Sequence, residues 1–205
     1  MPLQNRVAPG GSLHAVAARG RLMGNRGGRI HDPDTGLLTR RRWASKAWIC
    51  CVTSFCDRHR TVWGRSYTEL FFLDEVTALA AGHRPCFECR RRDAIRFAGF
   101  WAHAHCEPKR ARAGAMDIVL HGERTAKTRQ TLSSSRAIAL PDGTAVDLDG
   151  NPFMIRNARL LPWSFDGYGA PVAMPETARL TLLTPPSTVN VLHAGYRPAW
   201  DDNAG

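Results

Sequence analysis

No apolar run in this 205-residue chain approaches the roughly 20 residues that a membrane-spanning helix needs, which argues against an integral membrane protein. The first 20 residues also lack the continuous apolar core of a secretory signal, so we expect a cytoplasmic protein. Because the cytoplasm keeps thiols reduced, the six cysteines are expected as free thiols or metal ligands and not as three disulfides. A length of 205 residues suffices for one substantial core, or for a small metal-stabilised module joined to a second domain.

Acidic residues are scarce in the first part of the chain. Residues 1–65 hold 12 Lys and Arg against 3 Asp and Glu, whereas residues 137–205 hold 4 against 7. The whole chain carries a formal net charge of +10. Positive charge attracts phosphate backbones through counterion release, so the composition favours nucleic acid as a partner, although a solvated basic face explains it equally well.

A Cys-x-x-Cys turn is formed by Cys86 and Cys89, directly after a helix that is predicted to end at Gly82. Pro85 prevents that helix from continuing. Two thiolates separated by two residues can hold one ion, and tetrahedral zinc then needs two more ligands from elsewhere in the chain. The spacing therefore predicts a Zn²⁺ site.

The residues around this turn resemble the zinc-binding domain of the Ada DNA-repair proteins, over about residues 66–96. The shared features are a short strand with the sequence Phe71-Phe72, a helix that ends in Ala-Leu-Ala-Ala-Gly, and the run Arg-Pro-Cys-x-x-Cys-Arg. The whole chain is also similar to a bacterial family that carries an Ada-like box. The Ada resemblance implies a zinc ion with two further cysteine ligands upstream. It also implies that one zinc-bound thiolate accepts the methyl group of a methylated DNA phosphate.

The upstream ligands are sought among Cys50, Cys51 and Cys56. Neighbouring residues of a strand face opposite sides, so only one of Cys50 and Cys51 can face the turn. The preferred ligand set is Cys51, Cys56, Cys86 and Cys89. The alternatives that the sequence leaves open are Cys50, His59, His83, His103, His105 and Cys106.

Three functions are compatible with such a site. The first is binding of nucleic acid, DNA in particular, with zinc in a closed structural site. The second is methyl acceptance, with Cys51 or Cys50 as the acceptor thiolate. However, the Arg and Pro residues around the Ada family's first cysteine pair are absent. The third is metal-dependent hydrolysis, as in a nuclease, by the polar cluster of His121, Glu123 and Arg124.

The helix after the turn is expected to carry the phosphate contacts. Its buried stripe follows the i, i+3, i+4, i+7 spacing, and its arginines lie at its start and on its polar face. The stripe is Ala94, Phe97, Ala98 and Trp101, and the arginines are Arg90, Arg91, Arg92 and Arg96.

We expect an α+β fold, in which a small zinc-stabilised hairpin and helix module of the Ada kind precedes a small β-rich region. The expected divisions are a Gly/Arg-rich segment of loops at 1–36, the zinc module at 37–125, a linker at 126–135, and the β-rich C-terminal region at 136–205. Within the module, residues 43–56 and 60–63 are predicted to pair as a hairpin, followed by a strand at 67–73 and a helix capped by Asp74. A further helix is predicted at 115–124.

The C-terminal region is predicted as a β-meander with strands at 137–140, 144–148, 153–161 and 178–183, and with a terminal helix at 187–195. Its aromatic residues fit either a recognition surface or a small core, and core is the commoner role. These residues are Trp163, Tyr168, Tyr196 and Trp200.

Overall fold

The computed structural model describes residues 1–58 and 61–204, which fold into an α+β protein with three sheets and five helices. None of the helices in this part combines the length and the apolar character that crossing a membrane demands. In chain order the strands are β1 (Arg6–Val7), β2 (Leu13–His14), β3 (Leu22–Arg26), β4 (His31–Asp32), β5 (Leu37–Leu38), β6 (Trp48–Val52), β7 (Leu70–Phe72), β8 (Arg84–Pro85), β9 (Thr131–Ser133), β10 (Ala145–Leu148), β11 (Asn151–Arg156), β12 (Arg159–Ser164), β13 (Gly167–Tyr168) and β14 (Arg179–Leu182). The helices are α1 (Glu75–Ala80), α2 (Arg91–Ala104), α3 (Ala113–Thr125), α4 (Ser134–Ala137) and α5 (Pro186–His193).

The first sheet has the strand order β2-β1-β7-β3-β6-β8 and carries the predicted zinc module. The pairs β1 with β7 and β6 with β8 are parallel, and the other pairs are antiparallel. The segment 1–36, predicted as loops, supplies β1, β2 and the central strand β3. Gly24 of β3 is needed for close packing, because a Cβ there would lie 2.3 Å from the Ile49 carbonyl oxygen.

The predicted hairpin between 43–56 and 60–63 is not formed in the described residues. β6 pairs with β3 and β8, and residues 61–63 belong to no strand. The density of aromatic and β-branched residues around β6 correctly indicates a strand. It does not indicate the partner, which is supplied by a segment some 25 residues earlier.

The helices α1 and α2 form as their local signals predict. The Asp74 side chain accepts a hydrogen bond from the backbone N–H of Thr77 at 2.8 Å and so caps α1, and Gly82 adopts a φ of +79° after the helix. The predicted stripe of α2 is buried, and its members Phe97, Ala98 and Trp101 belong to one core cluster with Val191, Leu192 and Tyr196 in and after α5. The stripe consists of Ala94, Phe97, Ala98 and Trp101.

The second sheet is antiparallel and has the strand order β13-β12-β11-β10-β14-β9. The predicted linker 126–135 contains β9, and the predicted strand 137–140 is absent because α4 ends there. The predicted strand 153–161 is two strands, β11 and β12. The chain reverses at Asn157 and Ala158, whose φ angles are +50° and +57°, and no glycine marks this turn.

The two sheets share a core through α1. Val76 and Ala80 pack with Ala145, Met154 and Leu161 of the second sheet. Trp163, Tyr168 and Trp200 pack against this cluster, and Tyr196 lies in the neighbouring one. Tyr196 is therefore a core residue, whereas Trp163, Tyr168 and Trp200 are partly buried at the edge of the core.

Polar contacts reinforce this junction. The Tyr168 hydroxyl donates to Asp74 Oδ2 at 2.7 Å, and the Tyr196 hydroxyl donates to Glu75 Oε1 at 2.7 Å. The backbone N–H of Ala199 donates to Glu75 Oε2 at 2.9 Å. Two adjacent carboxylates at the start of α1 thus hold the last part of the chain.

Candidate metal centre

Three cysteine side chains meet beside the first sheet. The Sγ atoms of Cys51, Cys86 and Cys89 all lie within 4.8 Å of one another. Cys51 and Cys86 are buried, and Cys89 is half-buried. Thiolates bound to one tetrahedral zinc lie about 3.8 Å apart, given a Zn–S distance of about 2.3 Å. The three sulfur atoms are therefore close to the spacing that one ion requires.

The parallel pairing of β6 with β8 brings these residues together. The backbone N–H of Cys86 donates to the carbonyl of Cys50 at 2.9 Å, which places Cys86 beside Cys51 at the ends of the two strands. The turn then tightens, because the backbone N–H of Glu88 donates to Cys86 Sγ at 3.4 Å. This turn brings Cys89 back to the same point before α2 begins.

The three thiols have different pKa values, because hydrogen bonds and burial act on them differently. The bond from Cys51, with support from the backbone N–H groups of Cys89 and Glu88, lowers the pKa of Cys86 to about 5, although burial opposes this change. The same bond to Cys86, together with burial, raises the pKa of Cys51. Burial also raises the pKa of Cys89. One thiolate is thus already favoured in the protein without a cation.

The donor set fits a soft or borderline metal ion. Thiolates favour Zn²⁺, Cu⁺ and iron–sulfur clusters over Mg²⁺ or Ca²⁺, which prefer oxygen. Within residues 1–58 and 61–204, no other His, Cys, Asp or Glu completes the group. His59, one of the predicted alternatives, lies outside the described residues.

Cys56 does not belong to the group, which corrects the preferred set of four. Its side chain is exposed, and the residue lies in a turn where Cys56 and Asp57 have φ angles of +49° and +50°. The strand ends at Val52, four residues before Cys56, so the two-residue periodicity of a strand does not extend to this residue.

The other predicted ligands also lie apart from the three cysteines. Cys50 faces the opposite side of β6, where its Sγ accepts a hydrogen bond from Arg90 at 3.5 Å. His83 is fully buried between aromatic rings, and Cys106 is exposed after the end of α2. The remaining alternatives are His103 and His105, at the C-terminal end of α2.

Arg90 is not available for phosphate contact, which corrects that prediction. Its guanidinium is buried and forms ion pairs with Glu75 and Asp93, both at 2.8 Å. An arginine committed to two carboxylates has no free edge for a phosphate group. The other three predicted contacts are exposed on α2, and they are Arg91, Arg92 and Arg96.

The polar cluster predicted for hydrolysis has structural contacts in place of a common site, although Arg124 lies within hydrogen-bond distance of His121, at 3.4 Å. Glu123 accepts hydrogen bonds from the hydroxyl and the backbone N–H of Ser187, at 2.6 and 3.1 Å, and so holds the start of α5. Arg124 donates to the carbonyl of Gly82 at 2.7 Å. His121 packs edge-on against Trp43. None of the three joins the cysteine group.

A cavity of about 180 Å³ borders the three cysteines. Its lining includes Glu69, a residue that sequence reasoning did not single out. Glu69 precedes β7 by one residue and shares its parity with Phe71, which also lines the cavity. A carboxylate in phase with the apolar residues of a predicted strand is the signal that could have identified it.

No family model matches the chain, and no curated protein or solved structure does so either. The chemistry of the site therefore rests on its geometry. The Ada resemblance stays a prediction, which the arrangement of Cys51, Cys86 and Cys89 neither establishes nor removes.

Proposed function

We propose that the protein binds one Zn²⁺ ion through Cys51, Cys86 and Cys89, and that its partner is nucleic acid, DNA in particular. The observation that carries the proposal is the approach of three Sγ atoms to within 4.8 Å of one another. A bound cation would favour the thiolate form of all three cysteines and would balance the repulsion between their charges.

The ion would have a structural role at this point of the fold. Cys51 lies on β6, whereas Cys86 and Cys89 lie in the turn between β8 and α2. One ion bound to all three would tie an inner strand of the first sheet to the start of the helix that packs on the C-terminal part. Metal binding at such a site adds directly to the free energy of folding.

Charge and position support nucleic acid as the partner. The chain has a net charge of +10, and Arg91, Arg92 and Arg96 are exposed on the helix that follows the Cys-x-x-Cys turn. Contacts of this kind bind the phosphate backbone and do not read base sequence. The expected binding is therefore salt-dependent and weakly sequence-selective.

The first experiment is elemental analysis of protein purified without added metal or chelator. We expect about one zinc per chain, and we expect its loss in Cys86→Ser and Cys89→Ser. The matched controls are Cys56→Ser and Cys106→Ser, which remove exposed thiols outside the group and should keep the metal. Wild-type protein with no bound metal and three free thiols at the site would refute the metal part of the proposal.

The partner is tested by fluorescence anisotropy with a labelled duplex and a labelled single strand at rising salt. Binding at low salt that weakens steadily as salt increases is the expected result. If the protein carries zinc but binds neither probe at low salt, the nucleic-acid part of the proposal is refuted and the metal part is not.

A second candidate is methyl acceptance by a zinc-bound thiolate of Cys51, and one observation favours it. All three cysteines line one cavity together with the exposed residues Arg58 and Glu88, so the sulfur atoms border a space in which a methyl group could be accommodated. The test is mass spectrometry after incubation with DNA that contains methylphosphotriesters. A methyl group on the peptide of Cys51 would support this candidate, and DNA binding with no change in mass would exclude it.

A further inference from the structure

The cavity beside the cysteines has two chemically different ends. Alternate residues of three neighbouring strands line it, because β3 lies between β6 and β7. Cys51 is at one end, Glu69 is at the other, and Met23 and Asn25 of β3 lie between them. Two strand spacings separate the two ends by about 10 Å across the sheet, and their two-residue offset along the strands brings the separation to about 12 Å. A ligand the size of one heterocyclic ring fits between them.

The Glu69 carboxylate is buried with half of its hydrogen-bonding capacity unused. The side chain is 3% exposed, and its Oε2 accepts a hydrogen bond from the backbone N–H of Trp63 at 2.8 Å. Its Oε1 has no hydrogen-bond partner in the described part of the chain. A buried carboxylate oxygen without a donor is costly, and natural proteins rarely leave one unless a ligand or water completes it.

No cation in the described residues neutralises this end of the cavity. Arg58 is the one basic residue in the described lining, and it pairs with Glu88 at 2.6 Å. At the other end, three thiolates around a divalent ion would leave one negative charge. The described part of the lining therefore suits a neutral or cationic ligand that donates hydrogen bonds better than an anion such as free phosphate.

The walls indicate the shape of this ligand. Phe55, Tyr67 and Phe71 line the cavity together with aliphatic side chains, a setting that suits a flat aromatic ring. We propose that the cavity binds an amino-substituted nitrogen heterocycle of the nucleobase kind, whose amino group donates a hydrogen bond to Glu69 Oε1.

The inference goes beyond the proposed function, because a small-ligand site in this cavity does not require the chain to bind DNA. The same chemistry could come from two sources. One is a free base or nucleoside, and the other is a base turned out of a nucleic-acid strand, which would be read through its edge and held between apolar side chains.

The experiment is isothermal titration calorimetry of zinc-loaded protein with paired ligands. Cytosine is compared with uracil and adenine with hypoxanthine, because each pair exchanges an amino group for a carbonyl at the same ring position and the neighbouring ring nitrogen for a ring N–H. We expect the amino member to bind roughly tenfold or more tightly, since in the same pose the carbonyl member would place an acceptor against Glu69 and would have to shift to offer its ring N–H to the carboxylate. In Glu69→Gln the preference should shrink toward equality, because an amide can either donate or accept.

The control is Glu88→Gln, a carboxylate change at the rim of the same cavity, which should keep the preference for the amino member. Competition between cytosine and a cytosine-containing single strand then separates the two sources, and either result is compatible with the site. The proposal would be overturned if folded, zinc-loaded protein bound both members of a pair equally or bound neither. It would also be overturned if Glu69→Gln kept the wild-type preference for the amino member. Zinc content, measured on the same samples, reports separately on the proposed function.

Discussion

The Arg90 guanidinium lies 2.8 Å from the Glu75 carboxylate, and the two side chains are only 6% and 3% exposed. This ion pair joins the residue before α2 to the first residue of α1. Glu75 in turn accepts a hydrogen bond from the hydroxyl of Tyr196. Arg90 reaches toward Cys50 on the strand that carries Cys51. One arginine therefore links the cysteine-bearing strand to the C-terminal part of the chain.

From this pair we predict that Arg90→Met destabilises the protein strongly, whereas Arg91→Met does not. Removing one partner of a buried ion pair leaves an uncompensated charge and costs about 3–5 kcal/mol. Arg91 is exposed, and its loss should change the free energy of unfolding by less than about 0.5 kcal/mol. Urea unfolding of both variants, with zinc present, measures the difference. Equal stability of the two variants would show that the Arg90 ion pair is not retained in solution.

We predict that metal removal lowers the melting temperature of the wild-type protein and not that of Cys86→Ser. An ion that binds only the folded chain stabilises it by mass action, so a strong chelator should remove that stabilisation. Cys86→Ser has already lost a ligand, and it should melt at about the same temperature with and without chelator. Thermal melts by circular dichroism, repeated with Cys106→Ser as the control that still responds to chelator, give the comparison. A wild-type melting temperature that is unchanged by the chelator would argue against a structural ion.

We predict that replacing Arg91, Arg92 and Arg96 together by glutamine weakens DNA binding and reduces its dependence on salt. Each phosphate contact that is lost lowers the slope of log K against log salt by about 0.9 for duplex DNA, so the slope should fall by roughly 2 to 3. The matched control replaces Arg136, Arg159 and Arg179, which are exposed in α4 and the second sheet, and removes the same charge. If both triple variants lose affinity equally, net charge and not α2 is responsible.

The parts of the fold that sequence reasoning predicted depend on local signals. Asp74 and Gly82 delimit α1 because a cap and a left-handed glycine act within one helical turn. Cys86 and Cys89 come together because only two residues separate them. Strand parity predicts that only one of Cys50 and Cys51 faces the turn, and β6 is indeed a strand, on which that residue is Cys51.

The parts that could not be predicted depend on which distant segments pair. Gly24 was interpreted as a loop residue, yet it lies in a central strand where a side chain would strike the Ile49 carbonyl. Cys56 was included as the second upstream cysteine that the Ada resemblance implies, and the composition does not show that β6 ends at Val52. Glu69 was overlooked although it is in phase with Phe71, and its burial is completed by the distant loop at Trp63, which folds onto it through two hydrogen bonds.

The last prediction concerns His83, which is fully buried and whose ring nitrogens have no hydrogen-bond partner in the described residues. Burial, together with the guanidinium groups of Arg26 and Arg124, holds its pKa well below 6.5. The imidazole is therefore neutral in the folded protein, whereas the unfolded chain takes up a proton below about pH 6.5. Stability contributed by the neutral ring is thus present above that pH and is lost as the pH falls.

Between pH 7 and pH 5, the wild-type protein should lose roughly 1–2 kcal/mol more of its free energy of unfolding than His83→Leu, which has no titrating group at this position. Both proteins are unfolded in urea at the two pH values with zinc present. Subtracting one result from the other removes the effect of the cysteines and carboxylates, which the two proteins share. Parallel losses in the two proteins would mean that His83 becomes protonated within the fold, which would require a partner for its charge among the side chains packed around it.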